Sequence, residues 1–164
     1  MNSELPKLPT LVVDTRERIP FDYEGDEEFE AIVHTKLDAG DYSLKGLEHL
    51  IVIERKANAD ELFNNFTQNK DRIYAEFERL RGHKIKIMMI EQSCEDIMNP
   101  QNYYVNKKGL NKRAITMPVA VVAANLNTLI IEYGVQVIFA GSKARSMTKN
   151  ILLAAYKAAK QGKL

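Results

Sequence analysis

The chain has 164 residues, 45% of them hydrophobic and 27% charged, which excludes a disordered segment and suits one globular domain with a sizeable core. Its one cysteine, Cys94, excludes a disulfide framework and fits a reducing, intracellular compartment. The net charge of +1 hides a split, because residues 1–96 carry 13 Lys/Arg against 21 Asp/Glu (−8) and residues 97–164 carry 10 against one acid, Glu132 (+9); such a basic half is either a solvated helix or a surface for a polyanion.

The opening "MNSELPKLPT" lacks the apolar core of a signal peptide and reads as a flexible arm over residues 1–10. "LVVDT" (11–15) is expected to form a short buried strand, followed by the charged turn "RERIPFDYEGDEE". "FEAIVHTKL" (29–37) is a second strand and "GDYSL" (40–44) leads into a third. "LIVIERK" (50–56), rich in β-branched residues, is the clearest strand of the chain. A helix comes next, with Asn58 as N-cap and Glu61 completing a capping box. Leu62, Phe66, Ile73, Phe77 and Leu80 give it one apolar stripe, and Gly82 is placed to end it.

"IKIMMIEQ" (85–92) is apolar enough for a central strand covered on both faces. Residues 93–116 read as an irregular insertion loop, and residues 118–134 as an apolar helix between Pro118 and Gly134. "VQVIFAG" is a further strand, and "SKARSMTKNILLAAYKAAKQGKL" an amphipathic basic helix capped by Ser142. The longest apolar run, "MPVAVVAANLNTLII", is too short and too interrupted by Asn to span a bilayer, so no membrane partner is expected. Strands alternating with helices predict an α/β fold, a central mixed β-sheet flanked by helices in a single domain of residues 1–164.

The chemistry concentrates where "LIVIERK" ends. Alternation along a strand puts Glu54 and Lys56 on one face and Arg55 on the other. Alone, Glu54 and Lys56 read as a plain ion pair. Asp41, on the strand before, changes this: a hairpin through "LKGLEH" brings it alongside Glu54. Two adjacent carboxylates need a shared proton or a cation, and oxygen donors suit a hard divalent ion, Mg²⁺ or Mn²⁺. An Asp followed by Glu-x-Lys at a strand end is the arrangement metal-dependent nucleases use on phosphodiesters, with the lysine orienting water or neutralising developing charge. His34, His49 and His83 lack metal-ligand spacing, Cys94 lacks a catalytic partner, and "AGSKAR" lacks the glycines of a phosphate loop.

Four motifs, "VVDTRE" (12–17), "GDY" (40–42), "IERKANAD" (53–60) and "IMMIEQ" (87–92), together resemble the XPF/Hef-type nuclease domain, a branch of the restriction-endonuclease-like superfamily. The hallmark G-D-x(n)-E-R-K-x(3)-D is present as Gly40, Asp41, Glu54, Arg55, Lys56 and Asp60. The resemblance implies a restriction-endonuclease-like core and a metal site of Asp41 and Glu54, with Asp14 in or just behind it and the Arg55 carbonyl completing it. Lys56 is implied as the catalytic lysine, Arg16, Glu17 and Asp60 as motif residues, and Arg72 as a helix arginine near the scissile phosphate. Plainer roles stand beside these. Asp60 favours a helix dipole, Arg72 and Glu76 make an i,i+4 surface pair, Arg55 pairs with Asp14 or Glu17, and Glu91 is structural.

Family members often carry a tandem helix-hairpin-helix domain after the nuclease, whereas this sequence stops at Leu164. DNA binding is therefore expected through the chain's own surface, a homodimer or a separate DNA-binding partner. Tyr103 and Tyr104 suit stacking on unpaired bases, and Lys107, Lys108, Lys112 and Arg113 suit phosphates. Lys143, Arg145 and Lys149 suit a backbone track along the last helix. Helix 118–134 is more apolar than one buried face requires, so it packs either on a second subunit or between the sheet and the final helix. The expected activity is metal-dependent cleavage of branched DNA, with a four-way-junction resolvase or a catalytically silent scaffolding subunit as alternatives.

Overall fold

The computed structural model describes residues 5–67, 69–99 and 119–164. Its elements are β1 (Thr10–Val13), β2 (Ala31–His34), β3 (Tyr42–Leu44), β4 (Ile51–Lys56), α1 (Ala59–Thr67) and α2 (Lys70–Leu80), then β5 (Ile85–Ile90), α3 (Cys94–Met98), α4 (Val119–Tyr133), β6 (Gln136–Phe139) and α5 (Ala144–Lys160). The strands form one mixed sheet in the order β2-β1-β3-β4-β5-β6. β3 runs antiparallel to both β1 and β4, while β4, β5 and β6 are parallel.

Alternation sorts the side chains of the central strands into two cores. Val52, Met88 and Ile90 face α1, α2, α3 and α4, packing on Leu62, Phe66, Phe77, Leu126 and Leu129. Ile51, Ile53, Ile87 and Met89 face α5, packing on Leu152, Ala155 and Tyr156 together with Tyr23 and Phe29. A parallel strand buried on both faces must be apolar at every position, and "IVI" and "IMMI" meet that requirement. Because β4 and β5 are covered on both sides, the charged residues at the end of β4 are carried to the edge of the core rather than to open solvent. No helix among the described residues is long and apolar enough to cross a membrane.

Several local expectations need correction. The helix expected from Asn58 to Gly82 is two helices. Asn69, at φ −116° and ψ 30°, leaves the helical basin, and its N–H donates to the carbonyl of Asn64, five residues back. Asn and Thr fill "NNFTQN", and they compete with helical hydrogen bonds. The capping box is shifted: Asn58 Oδ1 accepts from Glu61 N–H at 2.9 Å, but the Glu61 carboxylate accepts from Ala57 N–H. The predicted insertion begins with a helix, α3, capped by Ser93; residues 100–116 of it lie outside the described residues. Ser142 caps nothing, since a 3-10 turn over Gly141–Lys143 precedes α5. Helix α4 packs with α1, α2 and α3, so the sheet separates it from α5. Its outer side leaves Ile130 and Ile131 exposed. The supposed N-terminal arm is tied down from Pro6, whose carbonyl accepts from Tyr156 Oη–H and Lys160 Nζ.

Candidate active site

Backbone geometry brings the β1, β3 and β4 ends together. Asp41 N–H donates to the carbonyl of Ile53 at 2.9 Å, Asp14 N–H donates to the carbonyl of Asp41 at 2.8 Å, and Tyr42 stands opposite Ile53. One register step further sets Asp41 beside Glu54. Gly40 permits this approach: it has φ +72°, and a Cβ there would lie 2.1 Å from Val52 Cγ2 and 3.1 Å from the Ile53 carbonyl oxygen. The result is a cleft of roughly 700 Å³ into which Asp14, Asp41, Glu54 and Lys56 open, with Arg16, Arg72 and Arg79 on its walls.

Glu54 and Lys56 lie on the same face of β4, both almost fully buried, with Lys56 Nζ donating to Glu54 Oε1 at 2.5 Å. A buried charge persists only where other charges compensate it. Burial alone would lower the Lys56 ammonium, but Glu54, Glu61 and Glu76 outweigh it and keep Lys56 protonated. Burial pushes the Glu54 carboxyl up, Lys56 opposes this, and Glu76 on α2 adds to the rise. Glu54 Oε2 is buried with no hydrogen-bond partner among the described residues. Asp41 accepts from Arg55 N–H at 2.7 Å. Burial, then the charge of Glu54, pushes its carboxyl up to about 8.

Asp14 has a different environment. Its Oδ1 accepts from the backbone N–H of Arg16 at 2.7 Å and from Arg16 Nε at 2.8 Å. Its Oδ2 accepts from an Arg16 terminal nitrogen at 2.9 Å and from Leu37 N–H at 2.6 Å. Burial raises its carboxyl, but these four donors outweigh that and hold Asp14 below the ordinary aspartate value. Each oxygen already takes two donors, about the capacity of its lone pairs. Asp14 therefore serves as the latch for Arg16, behind the pair expected to hold a metal.

Arg55 faces away from Glu54, as alternation requires. Its guanidinium binds Glu91, donates to Glu17 Oε1 at 3.2 Å and to the Ile19 carbonyl at 2.8 Å, and lies 4.8 Å from the centre of the Phe21 ring. Glu17 and Glu91 thus act together with Arg55 in pinning the β1–β2 loop to the ends of β4 and β5, and Arg55 does not pair with Asp14. Arg72 is exposed on the cleft wall, and among the described residues no ion pair joins it to Glu76. Asp60 is the second residue of α1, and its side chain lies outside the described part of the structure.

The proposed track along the last helix fares differently. Arg145 donates to the carbonyl of Asp22 and sits over the Tyr23 ring, and Lys149 pairs with Asp26 and Glu28. Lys143 is exposed at the 3-10 turn, and none of the three lines the cleft. Tyr103, Tyr104, Lys107, Lys108, Lys112 and Arg113 lie outside the described residues. Sequence reasoning missed Glu61 and Glu76 as neighbours of Lys56, and Arg79 on the cleft wall. The available signal was spacing: Glu76 follows Arg72 by four residues and so shares its helix face.

The donor set is oxygen-rich and contains an unpartnered buried carboxylate oxygen, which suits Mg²⁺ or Mn²⁺. Among the described residues no three His, Cys, Asp or Glu side chains already converge as a metal site, but Mg²⁺ is usually held by only one or two carboxylates with water and phosphate. Asp41 and Glu54 meet that requirement.

The structure is similar to that of XPF from Aeropyrum pernix, with TM-score 0.62, 18% identity, 91% of this chain covered and 65% of that one. It is also similar to XPF from Aeropyrum pernix in complex with DNA, with TM-score 0.61, 16% identity and coverage of 92% and 66%. The chain thus spans just under two thirds of the length of those proteins, and the six-stranded mixed sheet is the restriction-endonuclease-like fold of the XPF nuclease domain. No curated protein matches the chain. The ERCC4 domain model matches residues 13–149, which contain Asp14, Asp41, Glu54 and Lys56, and the chain belongs to the ERCC4 domain family.

Proposed function

We propose that the chain is a divalent-metal-dependent, structure-specific endodeoxyribonuclease that hydrolyses phosphodiester bonds in branched DNA, acting in repair or recombination inside the cell. The observation that carries this reading is the pairing of Asp41 with Glu54, whose Oε2 is buried without a partner, beside the buried ammonium of Lys56. A structural ion pair needs one carboxylate; a second one pressed beside it, raised by burial and by its neighbour's charge, calls for a shared proton or a cation, and oxygen donors suit a hard divalent ion. Family membership and the DNA complex of the Aeropyrum pernix XPF support DNA as the substrate.

Asp41 and Glu54 would hold the ion, which supplies Lewis-acid polarisation of a phosphoryl oxygen and a more acidic bound water. Lys56 has three N–H donors. Two meet Glu54 and Glu61, and the third serves the attacking water or a phosphate oxygen. The Arg55 bridge keeps the cleft's outer loop in place, and Arg16 and Arg72 meet the DNA backbone. A homodimer or a separate DNA-binding partner completes the grip on DNA, with Ile130 and Ile131 of α4 offering apolar surface.

The test is cleavage of labelled flap, fork, four-way-junction and linear duplex DNA with Mg²⁺ or Mn²⁺, with binding measured in parallel. Metal-dependent cutting of a branched substrate is expected, and Asp41→Asn and Lys56→Ala should each reduce it by at least a hundredfold while DNA binding persists. Paired symmetric cuts confined to four-way junctions would assign a resolvase. Binding of branched DNA with no cutting under any metal would replace this reading with a scaffolding one.

A further inference from the structure

Glu76 lends its charge to Lys56 and Arg16 without forming an ion pair with either. It sits on α2, half-buried on the cleft wall, and takes part in no ion pair among the described residues within 4.0 Å. Its charge is set against Glu54, close enough to push that carboxyl up further. Two glutamates facing one another at the wall of a partly closed cleft destabilise the folded chain unless a proton or a cation comes between them. Lys56 is one such group, but it meets Glu54 through Oε1 alone, and Oε2 is left buried and unpartnered.

The third carboxylate that the family resemblance places in or just behind the metal shell, Asp14, is already saturated by four donors. We propose that Glu76 contributes the third carboxylate oxygen to the divalent-cation site, beside Asp41 and Glu54, while Asp14 remains the latch for Arg16. Among the described residues no three acids converge as a ready metal site, but Glu54 and Glu76 already lie close enough to interact. Helix α2 brings Glu76 to the cleft that Asp41 and Glu54 also line. The inference rests on the metal dependence proposed above.

Titration calorimetry with Mn²⁺ alone, without DNA, tests it on wild type, Asp41→Asn, Glu76→Gln and Glu61→Gln, each first checked for folding by circular dichroism. Glu61 is the control for charge: it lines the same cleft and touches Lys56, but its Oε2 is occupied by Ala57 N–H. Glu76→Gln is expected to weaken Mn²⁺ at least tenfold, and Glu61→Gln by less than threefold. Equal losses in the two variants would make the cleft's overall charge the cause and overturn the assignment, as would wild-type affinity in Glu76→Gln. Loss in Asp41→Asn with none in Glu76→Gln would remove Glu76 alone and leave the metal site standing. No Mn²⁺ binding by wild type would remove both proposals.

Discussion

Asp14 and Asp41 are one side chain type in opposite environments, and the contrast decides what each does. Among the described residues Asp14 takes four hydrogen bonds and is held low; Asp41 accepts one, from Arg55 N–H, and is pushed up to about 8 by burial and by Glu54. The motif places both at the site, but the saturation of Asp14 depends on Leu37, 23 residues away, and no local spacing reveals it. The sign of the consequence is definite. A carboxyl whose folded pKa is raised favours the folded state while it is protonated, so its contribution is full below its ordinary value near 3.8 and is lost as pH rises to about 8. In chelator, the thermal midpoint of wild type should therefore fall across that window. Asp41→Asn, which cannot ionise, should show a shallower fall and gain most at pH 8. Parallel curves for the two proteins, measured by calorimetry, would rule out a protonated Asp41.

At the scale of elements, the strands were legible and the joints between helices were not. The strand cores "VV", "IVI" and "IMMI" announce themselves because burial on both faces demands apolar residues without interruption. The α1–α2 break is invisible to the same logic. Phe66 and Ile73 are seven residues apart, two helical turns, so the apolar stripe keeps its phase across the gap and both residues reach one core. Only the Asn-rich composition marks the break, and composition is a weak signal. The β3–β4 junction carries a sharper prediction. Gly40→Ala would force a Cβ against Val52 and the Ile53 carbonyl at φ +72°. Overpacking and the left-handed backbone together should cost about 2–4 kcal/mol. Urea denaturation should show a lower midpoint with an unchanged slope, and an unshifted midpoint would mean that the strands separate freely there. Because Asp41 follows directly, the variant should also lose metal response in step with stability.

Across the whole molecule, part of the charge split read from the sequence is taken up within the fold. The basic second half has a net charge of +9, yet Lys149 is neutralised by Asp26 and Glu28, and Arg145 is committed to Asp22 and Tyr23. Cations of the basic half thus fasten the α5 helix to the acidic first half, which is an intramolecular use of the asymmetry that counting residues cannot distinguish from a nucleic-acid surface. An exposed arginine on the cleft wall belongs instead to the acidic half: Arg72, beside the carboxylates proposed to hold a cation. Binding of duplex DNA at several salt concentrations separates the two roles, since each phosphate contact contributes about 0.9 to the slope of log K against log salt. Arg72→Ala should flatten that slope by about 0.9 and leave the thermal midpoint nearly unchanged. Lys149→Ala should leave the slope unchanged and lower the midpoint instead, because it strands Asp26 and Glu28 without their partner. The reverse pattern would put the DNA along α5, away from the cleft, and the cleft would then have to reach its phosphate from a strand bound elsewhere on the molecule.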